Sequence, residues 1–161
     1  MKQKILINYQ KKNRLDLNSI ENDLIESAVC NISNAYAPYS GFEVGSAVLL
    51  ENRSIVSANN QENVSFPSGL CAERVAIFYA GSQFPDTSII SLAVSARSKK
   101  FNINNIISPC GSCRQVIAEY QIKQKRKIKI LLHQSDDTVL IFESIEDLLP
   151  LMFQSPNLKI Y

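Results

Sequence analysis

Three cysteines and one glutamate stand at spacings that suit metal chemistry in this chain of 161 residues. Glu73 follows two positions after Cys71, and Cys110 and Cys113 form a second pair with two residues between them. Thiolates are soft ligands that favour zinc, and a catalytic zinc site has three protein ligands with a fourth position open to water. The fourth cysteine, Cys30, lies in an unrelated amphipathic stretch, and the single histidine has no partner at a ligand-like spacing. The pattern therefore predicts an open, catalytic zinc site with Cys71, Cys110 and Cys113 as ligands.

The glutamate beside the first cysteine can carry protons for such a site. Zinc lowers the pKa of a bound water from about 16 toward about 7, and a nearby carboxylate that is not itself a ligand can take the released proton. Alone, Glu73 would be interpreted as a helix-start glutamate that complements the helix dipole. Its position between two cysteine motifs favours a catalytic role instead.

Three thiolates around one Zn²⁺ leave a net negative charge, which would weaken the metal as a Lewis acid. Arg74 directly follows the glutamate, and Arg114 directly follows the last cysteine. Both cysteine motifs are also predicted to open helices, whose N-terminal N–H groups stabilise anions. We expect Arg74 and Arg114 to compensate the thiolate charge, although a solvated surface cation is an equally good interpretation of Arg114.

The composition is that of an ordinary globular domain, with 45% hydrophobic and 20% charged residues. No apolar run approaches the roughly 20 residues needed to span a membrane, and the apolar stretch at the start is too short for a signal peptide. The net charge of +2 does not indicate nucleic-acid binding, and the basic run at 123–129 holds no aromatic residue that could stack on bases. Cysteines at metal spacing without an export signal predict a cytoplasmic protein.

Hydrophobic periodicity and turn signals predict helices alternating with strands. The predicted elements are a helix that begins after Asn18 and ends before Pro38, strands at 42–50 and 55–58, a helix at 71–80 capped by Gly81, a strand at 89–96, a helix at 110–120, strands at 128–132 and 139–142, and a short helix at 144–149. This order indicates an α/β fold, namely a three-layer α/β/α sandwich around a mixed sheet with parallel strands at its centre. Residues 1–16 are predicted to be an extension with an added strand at 5–7, and residues 17–161 a single domain.

Several segments resemble, in the same order, the motifs of cytidine deaminases of the small, homotetrameric, three-cysteine zinc type. The resemblance runs from about residue 17 to residue 153, and so covers most of the chain. The matching segments are Tyr36-Ala37-Pro38-Tyr39-Ser40, Phe42-Glu43-Val44-Gly45, Asn60-Gln61-Glu62-Asn63, Gly69-Leu70-Cys71-Ala72-Glu73-Arg74, Ser108-Pro109-Cys110-Gly111-Ser112-Cys113-Arg114-Gln115, and Leu148-Leu149-Pro150 followed by Phe153.

This resemblance implies a cytidine deaminase-like fold, one Zn²⁺ per subunit and a homotetramer with its sites at subunit interfaces. The implied partner is a small nucleoside rather than a nucleic acid or a membrane. The implied reaction is zinc-dependent hydrolysis of cytidine and deoxycytidine to uridine and deoxyuridine with release of ammonia, as in pyrimidine salvage.

The resemblance also implies roles for residues that spacing alone would not single out. By this likeness Asn60 and Glu62 bind the ribose hydroxyls, and Phe42 lines the wall of the pocket. The backbone at Ala72 contacts the pyrimidine, and Phe153 packs on the base from a neighbouring subunit. Without the resemblance, the polar pair would be interpreted as a strand-to-loop exit and the two phenylalanines as core or terminal residues.

Two other interpretations stay open at the level of sequence. One is a deaminase of another aminopyrimidine nucleoside, such as a nucleoside antibiotic; the other is a non-catalytic, zinc-stabilised binding module. Glu73 argues against the module, because a structural metal site has no need of that carboxylate. The chain also departs from the family at Phe66, where a tyrosine is often found, so a hydroxyl is missing from an expected subunit contact.

Overall fold

The computed structural model describes residues 1–158 and shows one six-stranded sheet with three helices. Short 3-10 turns lie at Arg14–Asp16, Ile32–Asn34, Phe66–Ser68, Ile145–Asp147 and Pro156–Leu158. The strands are β1 (Gln10–Asn13), β2 (Phe42–Leu50), β3 (Ile55–Asn59), β4 (Ile89–Ser98), β5 (Lys129–His133) and β6 (Thr138–Phe142), and the helices are α1 (Ser19–Asn31), α2 (Ala72–Gln83) and α3 (Gly111–Gln124).

The sheet is mixed, with its parallel pair at the centre. The strand order is β1-β6-β5-β4-β2-β3, and β4 and β5 run parallel, with Ser95 opposite His133 at one end of their ladder. The other neighbouring pairs are antiparallel. Strands β4 and β5 are joined by α3, because a parallel connection needs a crossover long enough to hold a helix. The predicted mixed, centrally parallel sheet is therefore confirmed.

Helices cover both faces of the sheet, which gives three layers. Leu92 of β4 packs with Ile117 of α3 in one core, whereas the next residue, Ala93, packs with Leu24 of α1 in another. Adjacent strand residues point to opposite faces, so β4 contributes to both cores and is buried from both sides. Helices α2 and α3 share one face, and α1 lies on the other. The predicted α/β/α sandwich is confirmed.

Each helix start agrees with its sequence signal. The side chain of Asn18 accepts a hydrogen bond of 2.9 Å from the backbone N–H of Glu21, and so caps α1 as predicted. Cys71 and Cys110 are the N-cap residues of α2 and α3, and neither side chain makes a capping hydrogen bond. Both thiols are therefore held at helix N-termini without being used as caps, which leaves them available as ligands.

Three predicted helix ends are wrong. Helix α3 runs four residues past its predicted end, to Gln124. The other two ends are decided by tertiary contacts. Helix α2 continues to Gln83, so Gly81 is not its cap. A Cβ at Gly81 would lie 2.3 Å from the hydroxyl of Tyr120, so the glycine permits the close approach of α3. The predicted helix at 144–149 is only the 3-10 turn at Ile145–Asp147. Its cap, Ser144, bonds to Gln121 of α3, and a proline at position 150 disfavours further helix.

The added N-terminal strand exists, but not where the apolar residues predicted it. Strand β1 pairs antiparallel with β6, and the backbone N–H of Arg14 bonds to the carbonyl of Asp137 at 2.8 Å. This contact sets the register, so the strand forms at Gln10–Asn13, and Ile5 and Leu6 remain exposed. Residues 159–161 of the predicted main domain lie outside the described residues. No helix within 1–158 is long and apolar enough to cross a membrane.

Candidate active site

The three predicted ligands come together at the N-termini of α2 and α3. The sulfur of Cys110 lies 3.8 Å from that of Cys71 and 3.5 Å from that of Cys113, and all three lie within 4.8 Å of one another. A tetrahedral zinc with Zn–S bonds of about 2.3 Å would separate its sulfurs by about 3.8 Å. Among residues 1–158, this group of possible ligand atoms consists of the three thiols. The donor set therefore fits a zinc ion with one position left open.

The surroundings of the thiols favour negative charge on Cys71. A hydrogen bond from Cys113 lowers the pKa of Cys71 to about 5, and Arg74 adds to this effect because its Nη2 lies 3.9 Å from the Cys71 sulfur. The same hydrogen bond, together with burial, raises the pKa of Cys113. Arg74 thus lies beside the Cys71 sulfur, and its charge-compensating role stays a prediction.

Arg114 is placed differently from the prediction. Its guanidinium donates to the carbonyls of Pro109 and Leu148, both at 2.7 Å, and to the hydroxyl of Ser108 at 3.0 Å. These contacts tie the loop before α3 to the C-terminal segment, whereas no described hydrogen bond of Arg114 reaches a thiol. Arg114 therefore fixes the loop before α3. Within residues 1–158, the expected approach of its guanidinium to the thiolates is not observed.

Glu73 lies in the first turn of α2 and is 4% exposed. Burial, with a smaller contribution from the negative charge of Cys71, raises the pKa of its carboxyl to about 7. Such a group is poised both to accept and to release a proton near neutral pH. The carboxyl lines the same cavity as Cys71 and Cys110, so a small molecule in that cavity can reach both the metal ligands and the acid–base group.

The cavity has a volume of about 490 Å³, within the usual range for small-molecule sites. Its floor contains Cys71, Cys110 and Glu73, and its walls include apolar side chains such as Phe42 and Leu70. The part of the cavity lined by Ser40, Asn60 and Glu62, here called the outer end, is polar. A molecule with a flat heterocycle and a polar hydroxylated group could therefore lie with the heterocycle over the thiols and the hydroxyls at the outer end.

Glu62 is a fixed hydrogen-bond acceptor at the outer end of the cavity. Its carboxylate accepts from the backbone N–H of Tyr39 at 2.9 Å, from the N–H of Ser40 at 3.3 Å, and from the Ser40 hydroxyl. Burial acts to raise the pKa of Glu62, but the hydrogen bonds from Ser40 and Tyr39 outweigh it, so the pKa is lowered. The carboxylate is therefore ionised at neutral pH and can accept from further donors.

Asn60 joins the outer end of the cavity to the start of β2. Its Nδ2 donates to the carbonyl of Phe42 at 2.9 Å, and its Oδ1 accepts from the backbone N–H of Val44 at 2.8 Å. One N–H of the carboxamide is left for other partners, because an amide nitrogen carries two. The side chain thus holds the Phe42 wall in place as well as lining the cavity.

The remaining predicted residues differ in their exposure. Ala72 is fully buried between Cys71 and Glu73 at the start of α2. Phe153 is 70% exposed and does not line the cavity of its own chain; its carbonyl accepts from Gln115 at 2.8 Å. Phe66 is 73% exposed at the cavity rim.

Sequence reasoning assigned no role to several residues that line the cavity, notably Tyr39, Ser40, Ile107 and Ser108. A serine before a glycine signals a turn, but nothing in the sequence shows that Ser40 reaches a carboxylate 22 positions away. Ile107 and Ser108 could have been found, because residues just before a ligand-bearing helix lie beside the metal.

A family model described as the cytidine and deoxycytidylate deaminase zinc-binding region matches residues 18–126. A curated cytidine deaminase of Halalkalibacterium halodurans is 41% identical over 96 residues, covering 60% of this chain and 68% of the relative. One of Mycoplasma genitalium is 34% identical over 125 residues, covering 73% and 83%.

Solved structures agree with the family match. The crystal structure of cytidine deaminase from Burkholderia pseudomallei superposes with a TM-score of 0.71 at 34% identity, over 81% of this chain and 97% of that one. The enzyme from Mycobacterium tuberculosis superposes with a TM-score of 0.65 at 30% identity, over 84% and 98%. With three thiols placed for zinc and a buried glutamate beside them, the chain belongs to the cytidine and deoxycytidylate deaminase family.

Proposed function

We propose that this protein is a zinc-dependent hydrolase that converts cytidine and deoxycytidine to uridine and deoxyuridine with release of ammonia. The observation that carries the proposal is the buried Glu73 carboxyl in one cavity with the three-thiol cluster. A zinc site that only stabilised the fold would not need a buried acid beside it, and burial of a carboxyl is costly. The relatives are named cytidine deaminases, which favours cytosine as the base.

The proton transfers of this reaction can be assigned to Glu73. The chemistry that a zinc ion supplies when held by the three thiolates is Lewis-acid activation of a water molecule. Glu73 takes a proton from the attacking water as the water oxygen bonds to C4 of the cytosine ring, and passes that proton to ring N3. Glu73 then moves the hydroxyl proton to the amino nitrogen, the C4–N bond breaks with its electrons remaining on nitrogen, and ammonia leaves.

The other cavity residues supply binding and orientation. Phe42 contacts the face of the base from the cavity wall, and the backbone at Ala72 bonds to its polar edge. Glu62 and the free N–H of Asn60 bind the ribose hydroxyls, supported by their fixed positions at the outer end of the cavity. Arg74 offsets the thiolate charge, and Arg114 supports the site by holding the loop before α3 rather than by contact with sulfur.

The active assembly in this proposal is a homotetramer in the cytoplasm that serves pyrimidine salvage. Large apolar side chains stay exposed around the cavity mouth and in the C-terminal segment, including Phe66, Leu151 and Phe153. Exposed apolar surface of this kind suits burial against other copies of the chain. Phe153 of a neighbouring subunit would then close the cavity over the base. The mass in solution, measured by light scattering, should be four times that of the chain.

The first experiment is an ultraviolet assay of purified, zinc-loaded protein with cytidine, deoxycytidine and adenosine as separate substrates. Loss of the cytosine absorbance with both cytosine nucleosides, but no change with adenosine, would support the proposal. Turnover of a different aminopyrimidine nucleoside alone would move the assignment to that substrate. No turnover of any aminopyrimidine would favour a zinc-stabilised binding module.

A further inference from the structure

The turn that follows β4 packs against the residues that form the outer half of the cavity. The rings of Phe101 and Phe42 are nearly parallel, with an angle of 9° and 6.1 Å between their centroids. This is an offset-stacked pair of the kind that holds aromatic rings in a fixed orientation. Phe42 lines the cavity and Phe101 does not, so the second ring supports the first from outside the site. Phe101 is 56% exposed, so much of its side chain remains in contact with solvent.

The register of the sheet brings this turn to Phe42. Phe42 lies opposite Ser98 in the β2–β4 ladder, and the N–H of Lys99 bonds to the carbonyl of Gly41 at 3.1 Å, one step past the last strand pair. The N–H of Lys100 then bonds to the Ser98 hydroxyl at 3.1 Å, which starts the turn. The chain therefore reverses beside the first residue of β2.

Lys100 supports the neighbouring polar part of the cavity. Its Nζ donates to the carbonyl of Tyr39 at 2.7 Å. Its stem crosses Gly41, which has a φ of +68° and where an added Cβ would lie 3.0 Å from Cε of Lys100. The N–H of Tyr39 in turn donates to Glu62. The positive charge of Lys100 also favours the ionised form of that carboxylate, as a smaller effect than the hydrogen bonds.

We propose that Phe101 and Lys100 position two parts of the nucleoside pocket. Phe101 orients the Phe42 wall against the base, and Lys100 holds the Tyr39–Ser40 turn that presents Glu62 to the sugar. The proposal rests on the proposed function. In the described part of the chain, neither side chain lines the cavity, so both are positioning residues. Their described side-chain contacts are with Tyr39 and Phe42 rather than with a ligand sulfur, so their loss should affect substrate binding and leave the metal in place.

The ring of Phe101 is tested by Phe101→Ala, with Phe101→Tyr as the conservative variant. We expect the alanine variant to raise KM for cytidine and for 2′,3′-dideoxycytidine alike by about two- to ten-fold, with little change in kcat. The tyrosine variant should restore the parent KM, because it keeps the stacked ring. Zinc content, melting temperature and oligomer mass should stay unchanged in both variants. A shift in oligomer mass with Phe101→Ala would instead make the ring an interface contact and overturn its assigned role.

Lys100 is tested by Lys100→Met, which keeps most of the stem and removes the ammonium. We expect KM for cytidine to rise by about three- to ten-fold, but KM for 2′,3′-dideoxycytidine to stay near the parent value, because that nucleoside lacks the hydroxyls that Glu62 would bind. The matched control is Lys99→Met in the same turn, whose ammonium pairs with Glu43. Lys99→Met should leave both KM values unchanged.

The outcomes separate this inference from the proposed function. If the parent protein turns over no nucleoside, the proposed function fails and the inference fails with it. If the parent is active but Lys100→Met and Phe101→Ala both keep parent KM values, only the inference fails. Equal KM increases for the two nucleosides in Lys100→Met would contradict the assignment of Lys100 to the sugar end.

Discussion

The floor and the outer end of the cavity are built in different ways. The floor comes from two short motifs, Cys71 with Glu73 and Cys110 with Cys113, each at the first turn of a helix. The outer end comes from two segments, at 39–42 and 60–62, joined by several hydrogen bonds. A third segment, at 98–101, supports them from outside the cavity through one side-chain hydrogen bond and one ring pair. The chemistry is encoded locally, whereas the shape that would select the substrate depends on contacts between distant segments.

Burial separates the acid and the third ligand from the rim, although Cys110 at the floor is exposed and Asn60 at the outer end is only 9% exposed. Cys113 and Glu73 are 0% and 4% exposed, while the rim residue Phe66 is 73% exposed. Buried polar groups are costly to disturb, because their partners are left without solvent or a substitute. Substitutions at the floor should therefore remove catalysis, and those at the outer end should mainly change substrate affinity. Four variants test this division, in order of decreasing effect on activity.

Cys110→Ala should have the largest effect. Two thiols remain, so the variant should lose zinc, lose measurable cytidine turnover and melt at a lower temperature, since metal binding contributes to folding. Zinc content by mass spectrometry, the ultraviolet assay and a melting curve measure the three effects. The matched control is Cys30→Ala, an exposed cysteine on α1, which should behave as the parent protein. Stoichiometric zinc in Cys110→Ala would contradict the ligand assignment.

Glu73→Gln should separate metal binding from proton transfer. The variant keeps the shape of the side chain and the three thiols, so zinc should remain stoichiometric while kcat falls by roughly 100- to 10,000-fold. Glu51→Gln, at an exposed glutamate paired with Arg126, is the control and should keep full activity. If Glu73→Gln lost zinc, or retained more than about a tenth of the parent kcat, the acid–base role would be wrong.

Glu62→Gln should show the different behaviour of the outer end. The neutral amide weakens the hydrogen bonds to the sugar, so kcat/KM for cytidine should fall by about 10- to 100-fold, mostly through KM. The loss should be much smaller for 2′,3′-dideoxycytidine, and zinc content should not change. Steady-state kinetics with the two nucleosides measure the difference. An equal loss for both would show that Glu62 does not act through the ribose hydroxyls.

Glu43 lies on the face of the sheet opposite to the cavity. Among the four variants, Glu43→Gln should therefore have the smallest effect on activity. Ion pairs with Lys99 and Arg97 lower the pKa of the buried Glu43 carboxyl below its ordinary 4.5. Because the folded-state pKa is depressed, the carboxylate stabilises the fold above about pH 4.5, and this stability is lost as the pH falls through the lower folded value.

The difference in melting temperature between the parent and Glu43→Gln should therefore be present at pH 7 and shrink below about pH 4.5. Comparing the two proteins at each pH cancels the changes they share, including protonation of the zinc ligands. Nucleoside turnover at pH 7 should be the same in both. A melting difference that does not depend on pH would exclude the ion pairs as its cause.

The parts of the fold that sequence patterns predicted are those governed by local signals. Asn18 caps α1, and β2 occupies the predicted span of 42–50, because capping and alternation are properties of neighbouring residues. The errors fall where a distant segment intervenes. Gly81 accommodates Tyr120 instead of ending α2, and the edge of β6 decides where β1 forms.

By itself, the sequence determined the chemistry: the zinc donor set, the glutamate beside it and the α/β order of elements that carries them. A spacing of two residues at a helix start places side chains in a predictable way, so short motifs are enough to predict the metal ligands and the glutamate beside them. Only the tertiary structure decided that Arg114 hydrogen-bonds the loop before α3 instead of the thiols, that Ser40 hydrogen-bonds Glu62, and that the ring of Phe101 stacks on Phe42. Those placements depend on strand register and on packing between segments far apart in the chain, which local patterns do not contain.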